Sequence, residues 1–260
     1  MDNLVEKIKE VENKLPEEVV EVKEAEEPLA EVPVAEEAPE IKLEPAMTGW
    51  KPRTSLGQEV MNGTITSIDE ILASGRRIVE PEIVDKLVPN LKNELILIGG
   101  RTGKGGGIQR IPVKITAAMH KSGRRFTTSA FVVVGNEDGL VGIGLGRAPE
   151  TRNAIAKAIQ RAKMNIMRIK IGCGSWECDC GTSHSVPFKT TGKCGSVRAV
   201  LQPAPKGVGL VANDESKKLF KLAGIKDVWI KTFGNTSARI NLISAIYDAL
   251  KKLYVFERAE

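Results

Sequence analysis

The residues best suited to chemistry lie in one segment, which contains all four cysteines of the chain and one of its two histidines. Their spacing is Cys173-x4-Cys178-x-Cys180-x3-His184-x9-Cys194. Thiolates and imidazoles are the ligands of tetrahedral zinc sites, which take four of them and, when saturated, leave no position for a substrate. We therefore predict a structural zinc site formed by Cys173, Cys178, Cys180 and Cys194, with His184 as the alternative fourth ligand.

Two other interpretations of the cysteines stay open: four free structural thiols, or a redox pair. The C-x-C spacing differs from the C-x-x-C of oxidoreductases, which disfavours the redox pair. The N-terminus lacks the apolar core of a signal peptide, and no apolar run approaches the roughly 20 residues of a membrane helix. We therefore expect a cytoplasmic protein without a membrane partner, in a compartment where thiols stay reduced and can bind metal.

Charge divides the chain into an acidic segment and a basic body. Residues 1–46 carry 15 acidic and 5 basic side chains, whereas the remaining 214 residues carry 18 acidic and 33 basic ones. The acidic segment is rich in Glu and Pro and poor in aromatic residues, so it cannot bury enough apolar surface to offset the entropy lost on ordering. We predict a disordered acidic tail over residues 1–47 and, for the basic body, a polyanionic partner.

Behind the tail, the sequence predicts an extension and then a first folded domain. Residues 48–90 contain short helical segments, one beginning near Ser67 and one ending before Pro89. In residues 91–171, three strands precede a helix over residues 148–169, whose apolar side chains form one stripe. The predicted order is αβββα, or βββα if the first helix is weak.

A second domain follows the cysteines. Residues 172–195 form the connecting segment, and residues 196–260 show the pattern strand, helix, strand, helix. Asn213 is the expected N-cap of the first of these helices, and Gly224 its end. This order predicts a small two-layer α/β domain, so the fold class of the chain is α+β.

Two glycine-rich stretches are similar to nucleotide-binding loops but lack their essential residues. In the stretch that begins at Gly99, Lys104 is followed by glycine, so no hydroxyl is placed to hold Mg²⁺ as in a phosphate-binding loop. In GIGLGR, Arg147 stands where the dinucleotide fingerprint requires its third glycine. With no catalytic constellation evident, we predict that the chain is not an enzyme.

Cationic side chains cluster in two predicted loops. One contains six glycines between residues 99 and 107, and the other is a tight turn in the run HKSGRR. Flexible backbone with nearby cations suits RNA phosphates and ribose hydroxyls, whereas only 11 aromatic residues argue against a base-stacking platform. We therefore predict binding of structured RNA, read by shape. The predicted RNA-binding residues are Arg101, Lys104, Arg110, Lys114, Lys121, Arg124, Arg125 and Arg147.

Three long stretches resemble a known family. KSGRRFTTSAFVVVGNEDGLVGIGLGRAPETRNAIAKAIQRAKMNI resembles the N-terminal half of protein five of the small ribosomal subunit. GKCGSVRAVLQPAPKGVGLVA and LAGIKDVWIKTFGNT resemble its C-terminal half. The similarity extends from Leu91 to Leu253, and GWKPRTSLGQEV and the cysteine segment resemble the archaeal branch of the family. The acidic tail is not part of the family pattern.

This resemblance implies a fold, a location and partners. The family's first domain has the double-stranded-RNA-binding fold, and the hairpin from Lys121 to Arg125 corresponds to its rRNA-contacting loop. Members bind small-subunit rRNA at the back of the subunit near the head–body junction and contact proteins four and eight. They are linked to translational accuracy and to the channel through which mRNA enters, so mRNA is a further partner. A free-standing structured-RNA-binding protein or ribosome assembly factor is the alternative.

Overall fold

The computed structural model describes residues 50–103 and 106–257, and for residues 255–257 it describes the backbone alone. The acidic tail predicted for residues 1–47 and the predicted RNA-binding residue Lys104 therefore lie outside the described residues. Within the described part, no helix is both long enough and apolar enough to cross a membrane.

The N-terminal extension folds into three short helices, as the sequence predicts. They are α1 (Ser55–Met61), α2 (Ile68–Ser74) and α3 (Pro81–Leu87). Thr54 caps α1, because its Oγ1 accepts a hydrogen bond from the backbone N–H of Gly57 at 3.1 Å. The helices bury a common apolar cluster that also includes two residues of the following sheet. Its buried members are Leu56, Val60, Ile68, Ile71, Ile78, Ile83, Val84, Leu140 and Ile166.

The buried carboxylate of Glu80 holds the start of the N-terminal extension in place through hydrogen bonds. Glu80 accepts hydrogen bonds from the indole Nε1 of Trp50 at 3.0 Å and from the backbone N–H groups of Arg53 at 2.9 Å and Thr54 at 2.8 Å. Burial raises the pKa of Glu80, but the hydrogen bonds from Arg53, Thr54 and Trp50 outweigh this effect, so the pKa lies below its ordinary value. Glu80 therefore ties the chain before α1 to the N-terminus of α3.

The first sheet is antiparallel and is built around one long central strand. Strand β5 pairs with β6 along one edge and with β4 and β1 in succession along the other, and β7 pairs with β6. Strands β2 and β3 form a separate two-stranded ribbon. The strands are β1 (Lys92–Leu95), β2 (Gly99–Thr102), β3 (Ile108–Ile111), β4 (Val113–His120), β5 (Gly123–Gly135), β6 (Leu140–Ala148) and β7 (Ile166–Arg168).

Helix α4 (Thr151–Met164) packs closely on one face of this sheet. The glycines of β6 make this approach possible: a Cβ at Gly144 would lie 2.1 Å from the carbonyl oxygen of Ala158. A Cβ at Gly146 would lie 2.0 Å from the carbonyl oxygen of Ala154. Since real Cβ atoms never come this close, only glycine fits at these positions. These contacts are the close backbone approach that glycines within a strand indicate.

The C-terminal half contains a second sheet and two helices. Its strands lie in the order β10-β11-β9-β8, and all pairs are antiparallel except β10 with β11. Both predicted strands and both predicted helices are present, and β8 and β10 are additional. The elements are β8 (Thr190–Cys194), β9 (Val197–Pro203), β10 (Leu210–Val211), α5 (Asp214–Ala223), β11 (Val228–Phe233) and α6 (Arg239–Glu257).

The two halves share one continuous apolar core. Phe131 and Val133 of β5, on the face opposite α4, belong to the same buried cluster as Phe220 of α5 and Ile246 of α6. Helix α5 contacts β5 and β6, helix α6 contacts β8 and β9, and the two helices contact each other. The helices of the C-terminal half therefore fill the space between the two sheets.

Buried polar groups reinforce this junction. Glu215 of α5 is almost fully buried, and its carboxylate accepts a hydrogen bond from the backbone N–H of Leu97 at 2.9 Å and from Arg239 Nη1 at 3.0 Å. The same Nη1 donates to the carbonyl oxygen of Leu97 at 2.9 Å. One carboxylate and one guanidinium thus hold the chain after β1 to α5 and α6.

The predicted first domain is correct in its centre, where the alternative order βββα is present, and wrong at the end of its helix. Strands β4, β5 and β6 followed by α4 match the predicted βββα order. Helix α4, however, ends at Met164, and the next residues form β7, because Ile166 and Met167 are buried beside β6 rather than on a helix stripe. No helix precedes the strands within residues 91–103 and 106–171, whose first elements are β1, β2 and β3.

Candidate functional site

The hairpin of β4 and β5 projects beyond the sheet. Its strands pair from Val113 with Ala130 to His120 with Gly123, and every residue from Lys114 to Thr127 is exposed. Lys121 and Ser122 form the tip, which needs a left-handed residue at Gly123, where φ is 107°. A hairpin exposed on both faces cannot contribute to the core, so its sequence is free to serve contact with a partner.

The two faces of this hairpin differ in chemistry. Directly opposed residues of an antiparallel pair lie on the same face. One face carries Ile115, Met119 and Phe126, and the guanidinium of Arg124 lies 5.0 Å from the ring centroid of Phe126. The opposite face carries threonines together with Arg125, whose Nη2 donates a hydrogen bond to Ser122 Oγ at 2.9 Å. The hairpin therefore has one face of apolar side chains with one cation, Arg124, and one polar, cationic face.

Three predicted RNA-binding residues share the polar face. Lys114 pairs with Ser129, and Ser129 pairs on its other side with Arg147 of β6, so the three residues form one row across the sheet. Arg125 lies four residues from Ser129 along β5 and therefore on the same face. The structure thus brings Lys114, Arg125 and Arg147 to one surface, whereas Arg124 lies on the other face.

The remaining predicted RNA-binding residues lie at the hairpin tip and on the β2–β3 ribbon. Lys121 is part of the tip, and Arg101 and Arg110 are exposed residues of β2 and β3. Arg101 is paired with Gln109 and Arg110 with Gly100, so the two arginines occupy adjacent rungs and point to opposite faces. They therefore do not form a single cationic patch.

The connecting segment brings four potential metal ligands together. The ligand atoms of Cys173, Cys178, Cys180 and His184 all lie within 4.8 Å of one another. The Sγ atoms of Cys173 and Cys180 are 3.6 Å apart, and Cys178 Sγ lies 3.5 Å from His184 Nε2. Burial and the neighbouring thiols raise the pKa of Cys173 to about 11, and hydrogen bonds with Thr182 lower that of Cys180 to about 6. This group could hold a metal ion.

Local backbone contacts close the segment around this group. Gly172 and Ser185 exchange two backbone hydrogen bonds of 2.8 Å, which bring the two ends of the ligand loop side by side. Gly174 lies against Pro187 so closely that a Cβ there would be 1.9 Å from the Pro187 carbonyl oxygen. The glycines between the ligands therefore allow the loop to fold on itself.

Cys194, the predicted fourth ligand, is not part of this group. It is paired with Val197 at the end of β8, and its side chain packs against the core of the C-terminal half. Hydrogen bonding within the sheet keeps it there, and the group of neighbouring ligand atoms contains the alternative residue, His184, in its place. The predicted set of five candidates thus contained the group that the structure assembles.

The carboxylate of Asp227, which the sequence did not indicate, lies beside the ring of His184. Asp227 Oδ2 lies 2.8 Å from Nδ1 of His184, an ion-pair distance, although Nδ1 makes no aligned hydrogen bond. The other oxygen of Asp227 accepts hydrogen bonds from Gly207 N–H at 3.2 Å and Gly209 N–H at 2.7 Å. Asp227 therefore connects the ligand group to the C-terminal sheet, and no spacing within the cysteine segment indicated it.

Comparison with known proteins now identifies the family. The family model described as "Ribosomal protein S5, N-terminal domain" matches residues 109–170, and the one described as "Ribosomal protein S5, C-terminal domain" matches residues 192–260. The chain belongs to the ribosomal protein S5 family. The two matches leave residues 171–191, which contain Cys173, Cys178, Cys180 and His184 but not Cys194, between them, and the first begins within strand β3.

Curated relatives agree over most of the chain. The small ribosomal subunit protein uS5 of Methanocaldococcus jannaschii is 52% identical over 204 residues, 78% of this chain and 87% of that protein. The uS5 of Nanoarchaeum equitans is 50% identical over the same shares. The uS5 of Pyrobaculum arsenaticum is 47% identical over 81% of this chain and 97% of its own length. The archaeal resemblance is thereby confirmed, and membership of a family of ribosomal proteins confirms the prediction that the chain is not an enzyme.

Proposed function

We propose that this protein is a structural constituent of the small ribosomal subunit that binds small-subunit rRNA in the cytoplasm. The observation that carries the proposal is the exposed β4–β5 hairpin, with Lys121, Arg124 and Arg125 at its end. Cations on a rigid ribbon that makes no core contacts suit the phosphates of folded RNA, which position a protein without base readout. The basic body over the described residues supports the same partner class.

The polar face of the hairpin indicates how the RNA is held. Lys114 and Arg147 flank Ser129 on neighbouring strands, so their Cα atoms lie about 10 Å apart, two strand spacings. That distance is short enough for both side chains to reach the same phosphate backbone. The face therefore extends the cationic surface from the tip of the hairpin to the body of the sheet.

The proposal includes a position in the subunit. We infer a site at the back of the subunit near the head–body junction, where the protein stabilises the head against the body and contacts proteins four and eight. From there it contributes to translational accuracy and to the channel through which mRNA enters. Membership of the family supports this position, since the fold that presents the hairpin is the family's own.

The hairpin can be tested by removing its charges. Replacing Lys121, Arg124 and Arg125 together by alanine is expected to weaken binding to folded small-subunit rRNA and to reduce its salt dependence by about 0.9 in log–log slope per lost phosphate contact. A variant in which Lys217 and Lys221 of α5 and Lys251 of α6 become alanine removes the same three charges and is the control for charge alone. Equal losses in both variants would contradict a role of the hairpin.

Particle association distinguishes the ribosomal function from its alternative. A structural constituent should stay with small subunits through a high-salt wash, whereas a free-standing RNA-binding protein or assembly factor should be removed. Release of the wild-type chain at high salt would replace the present proposal by that alternative.

We further propose that the ligand group binds a structural zinc ion. In a tetrahedral site with Zn–S bonds of about 2.3 Å, two sulfur atoms lie about 3.8 Å apart. The observed Sγ–Sγ distance of 3.6 Å between Cys173 and Cys180 fits this geometry. Four ligands leave no open position, so the ion would brace the segment between the two halves and take no part in a reaction.

Elemental analysis of the wild type and three variants tests the zinc site and its ligands. We expect about one zinc per wild-type chain, loss of zinc in Cys180→Ser, and retention of zinc in Cys194→Ser, because Cys194 lies in β8 outside the group. Loss of zinc in Cys194→Ser with retention in His184→Ala would restore the original assignment. A reduced wild-type protein without zinc would contradict the site.

A further inference from the structure

One face of the C-terminal sheet is mostly left exposed by the residues that the structure describes, with Val200 the buried position near its centre. On the inner face, a Cβ at Gly192 of β8 would lie 1.9 Å from the carbonyl oxygen of Ala245, so this face rests directly on α6. Side chains on the inner face, such as Val197 and Leu201 of β9 and Val228 of β11, belong to the core. The residues that alternate with them point outward, because successive strand residues face opposite sides.

The outer face presents aromatic and cationic side chains in rows. One row pairs Phe233 of β11 with Arg198 of β9, which is paired in turn with Lys193 of β8. Trp229 lies on the same face four residues before Phe233, with Lys231 between them. Trp229 is 36% exposed and Phe233 is 54% exposed, although aromatic side chains of this size are normally buried.

Charge on this face has one sign. The sequences of the four strands, TTGKC, VRAVLQP, LV and VWIKTF, contain no Asp or Glu. The three cations on the outer face, Lys193, Arg198 and Lys231, are all exposed. A surface that combines cations with exposed aromatic rings complements a polyanion whose flat groups can stack, and this description fits RNA.

We propose that the outer face of the C-terminal sheet binds a single-stranded segment of RNA, with bases stacked on Trp229 and Phe233 and phosphates held by Lys193, Arg198 and Lys231. The proposal rests on the proposed function in that both require an RNA partner, but it concerns a face of a different sheet from the one that contains the β4–β5 hairpin. It adds a second mode of recognition, since the hairpin reads folded RNA through its phosphates.

The spacing of the rings specifies an unpaired strand. Four residues along a strand place Trp229 and Phe233 about 13 Å apart. Stacked neighbours in a duplex are separated by about 3.4 Å, so the two rings cannot hold adjacent bases of a regular helix. Bases in a duplex also have both faces covered by their neighbours, whereas splayed bases of loops and linkers can stack on protein rings. An extended single strand satisfies both conditions.

The test measures binding of the full-length protein to a short fluorescent oligouridine, which forms no stable base pairs. We expect Trp229→Ala and Phe233→Ala each to weaken binding about 5- to 100-fold, as the loss of one stacked base does. Trp229→Phe should retain most of the affinity because the ring remains. Lys231→Gln should lower the log–log salt slope by about 0.7, the value for one phosphate of a single strand.

The hairpin supplies a matched control. Phe126 is 55% exposed, almost the same as Phe233, and lies beside Arg124. Phe126→Ala should leave oligouridine binding unchanged if the C-terminal face is the site. A loss in Phe126→Ala with no loss in Phe233→Ala would overturn the proposal by moving the single-strand site to the hairpin.

Two further outcomes separate this inference from the proposed function. If the wild-type protein binds folded rRNA but not oligouridine, the C-terminal face proposal fails and the proposed function stands. If Trp229→Ala instead prevents association with small subunits while oligouridine binding is unchanged, the face contacts a protein, and the proposal is again overturned. Failure to bind any RNA would contradict both.

Discussion

Replacement of Glu80 by alanine tests how the N-terminal extension is held. The substitution leaves the indole N–H of Trp50 and the backbone N–H groups of Arg53 and Thr54 without their shared acceptor. A hydrogen bond to a charged group contributes about 1.5–3 kcal/mol when its partner is otherwise desolvated. Because Arg53 is exposed and its N–H can turn to water, we expect a total loss of about 3 kcal/mol in the free energy of unfolding.

Two measurements check this value. A loss of 1 kcal/mol lowers the melting temperature of a protein of this size by about 2–4 °C, so Glu80→Ala should melt about 6–12 °C below the wild type. Hydrogen exchange should accelerate most in the segment that contains Trp50 and α1, since Glu80 joins this segment to α3. Glu82→Ala, a substitution in the first turn of α3, is the control and should lower the free energy of unfolding by about 0.5 kcal/mol.

The same carboxylate predicts a dependence on pH. Its folded-state pKa lies below the ordinary glutamate value of about 4.3, so its contribution is complete above that pH and is lost as pH falls through the folded-state pKa. Glu80→Gln should remove this part of the acid sensitivity. A melting temperature within 1–2 °C of the wild type, about the loss expected for 0.5 kcal/mol, in Glu80→Ala with unchanged exchange near Trp50 would refute the reasoning.

Three other predictions concern the junction, the first sheet and the metal group. Glu215→Ala should lower the free energy of unfolding by about 3 kcal/mol in chemical denaturation, because it removes a buried carboxylate and leaves the partly buried guanidinium of Arg239 without its ion-pair partner. Asp214→Ala, whose ion pair is exposed, should be within about 0.5 kcal/mol of the wild type. Gly144→Ala should lower the free energy of unfolding by several kcal/mol or prevent folding, because its Cβ would collide with α4. Gly107→Ala has open space around its Cβ, so its melting temperature should equal that of the wild type. Asp227→Asn should lower zinc affinity about 10- to 100-fold in competition with a chelator, because an amide keeps an acceptor for the backbone N–H groups but removes the carboxylate from His184.

The central part of the first sheet was predictable because its signals are local. Alternation along β4 and the apolar stripe of α4 are both visible within a few residues of each other. The end of α4 was not predictable in the same way, since Ile166 and Met167 fit a helix stripe as well as a strand. Whether Ile166 and Met167 continue the helix or form a strand depends on pairing with the edge of β6, more than 20 residues earlier in the chain.

The metal group shows the same limit. Residue types and spacing predicted the segment and its five candidate metal ligands. Which four of the five come together depends on which residues are hydrogen-bonded into the neighbouring sheet. Cys194 lies in β8 because it pairs with Val197 across a tight turn, and His184 is held by contacts with Asp227 and the backbone of Lys226. Likewise, alternation along β11 places Trp229 and Phe233 on one face, but their exposure depends on how the sheet packs and is visible only in the structure.

The shared core between the two sheets has a consequence for synthesis on the ribosome. When the chain has been made only as far as residue 171, Phe131 and Val133 lack the part of their cluster that α5 and α6 supply, because Phe220 and Ile246 have not yet been translated. The apolar face of the first sheet therefore stays exposed to solvent until α6 emerges from the exit tunnel. A nascent chain truncated in the cysteine segment should therefore be prone to aggregate and to recruit chaperones, and the full-length chain should lose this tendency once α5 and α6 cover the face.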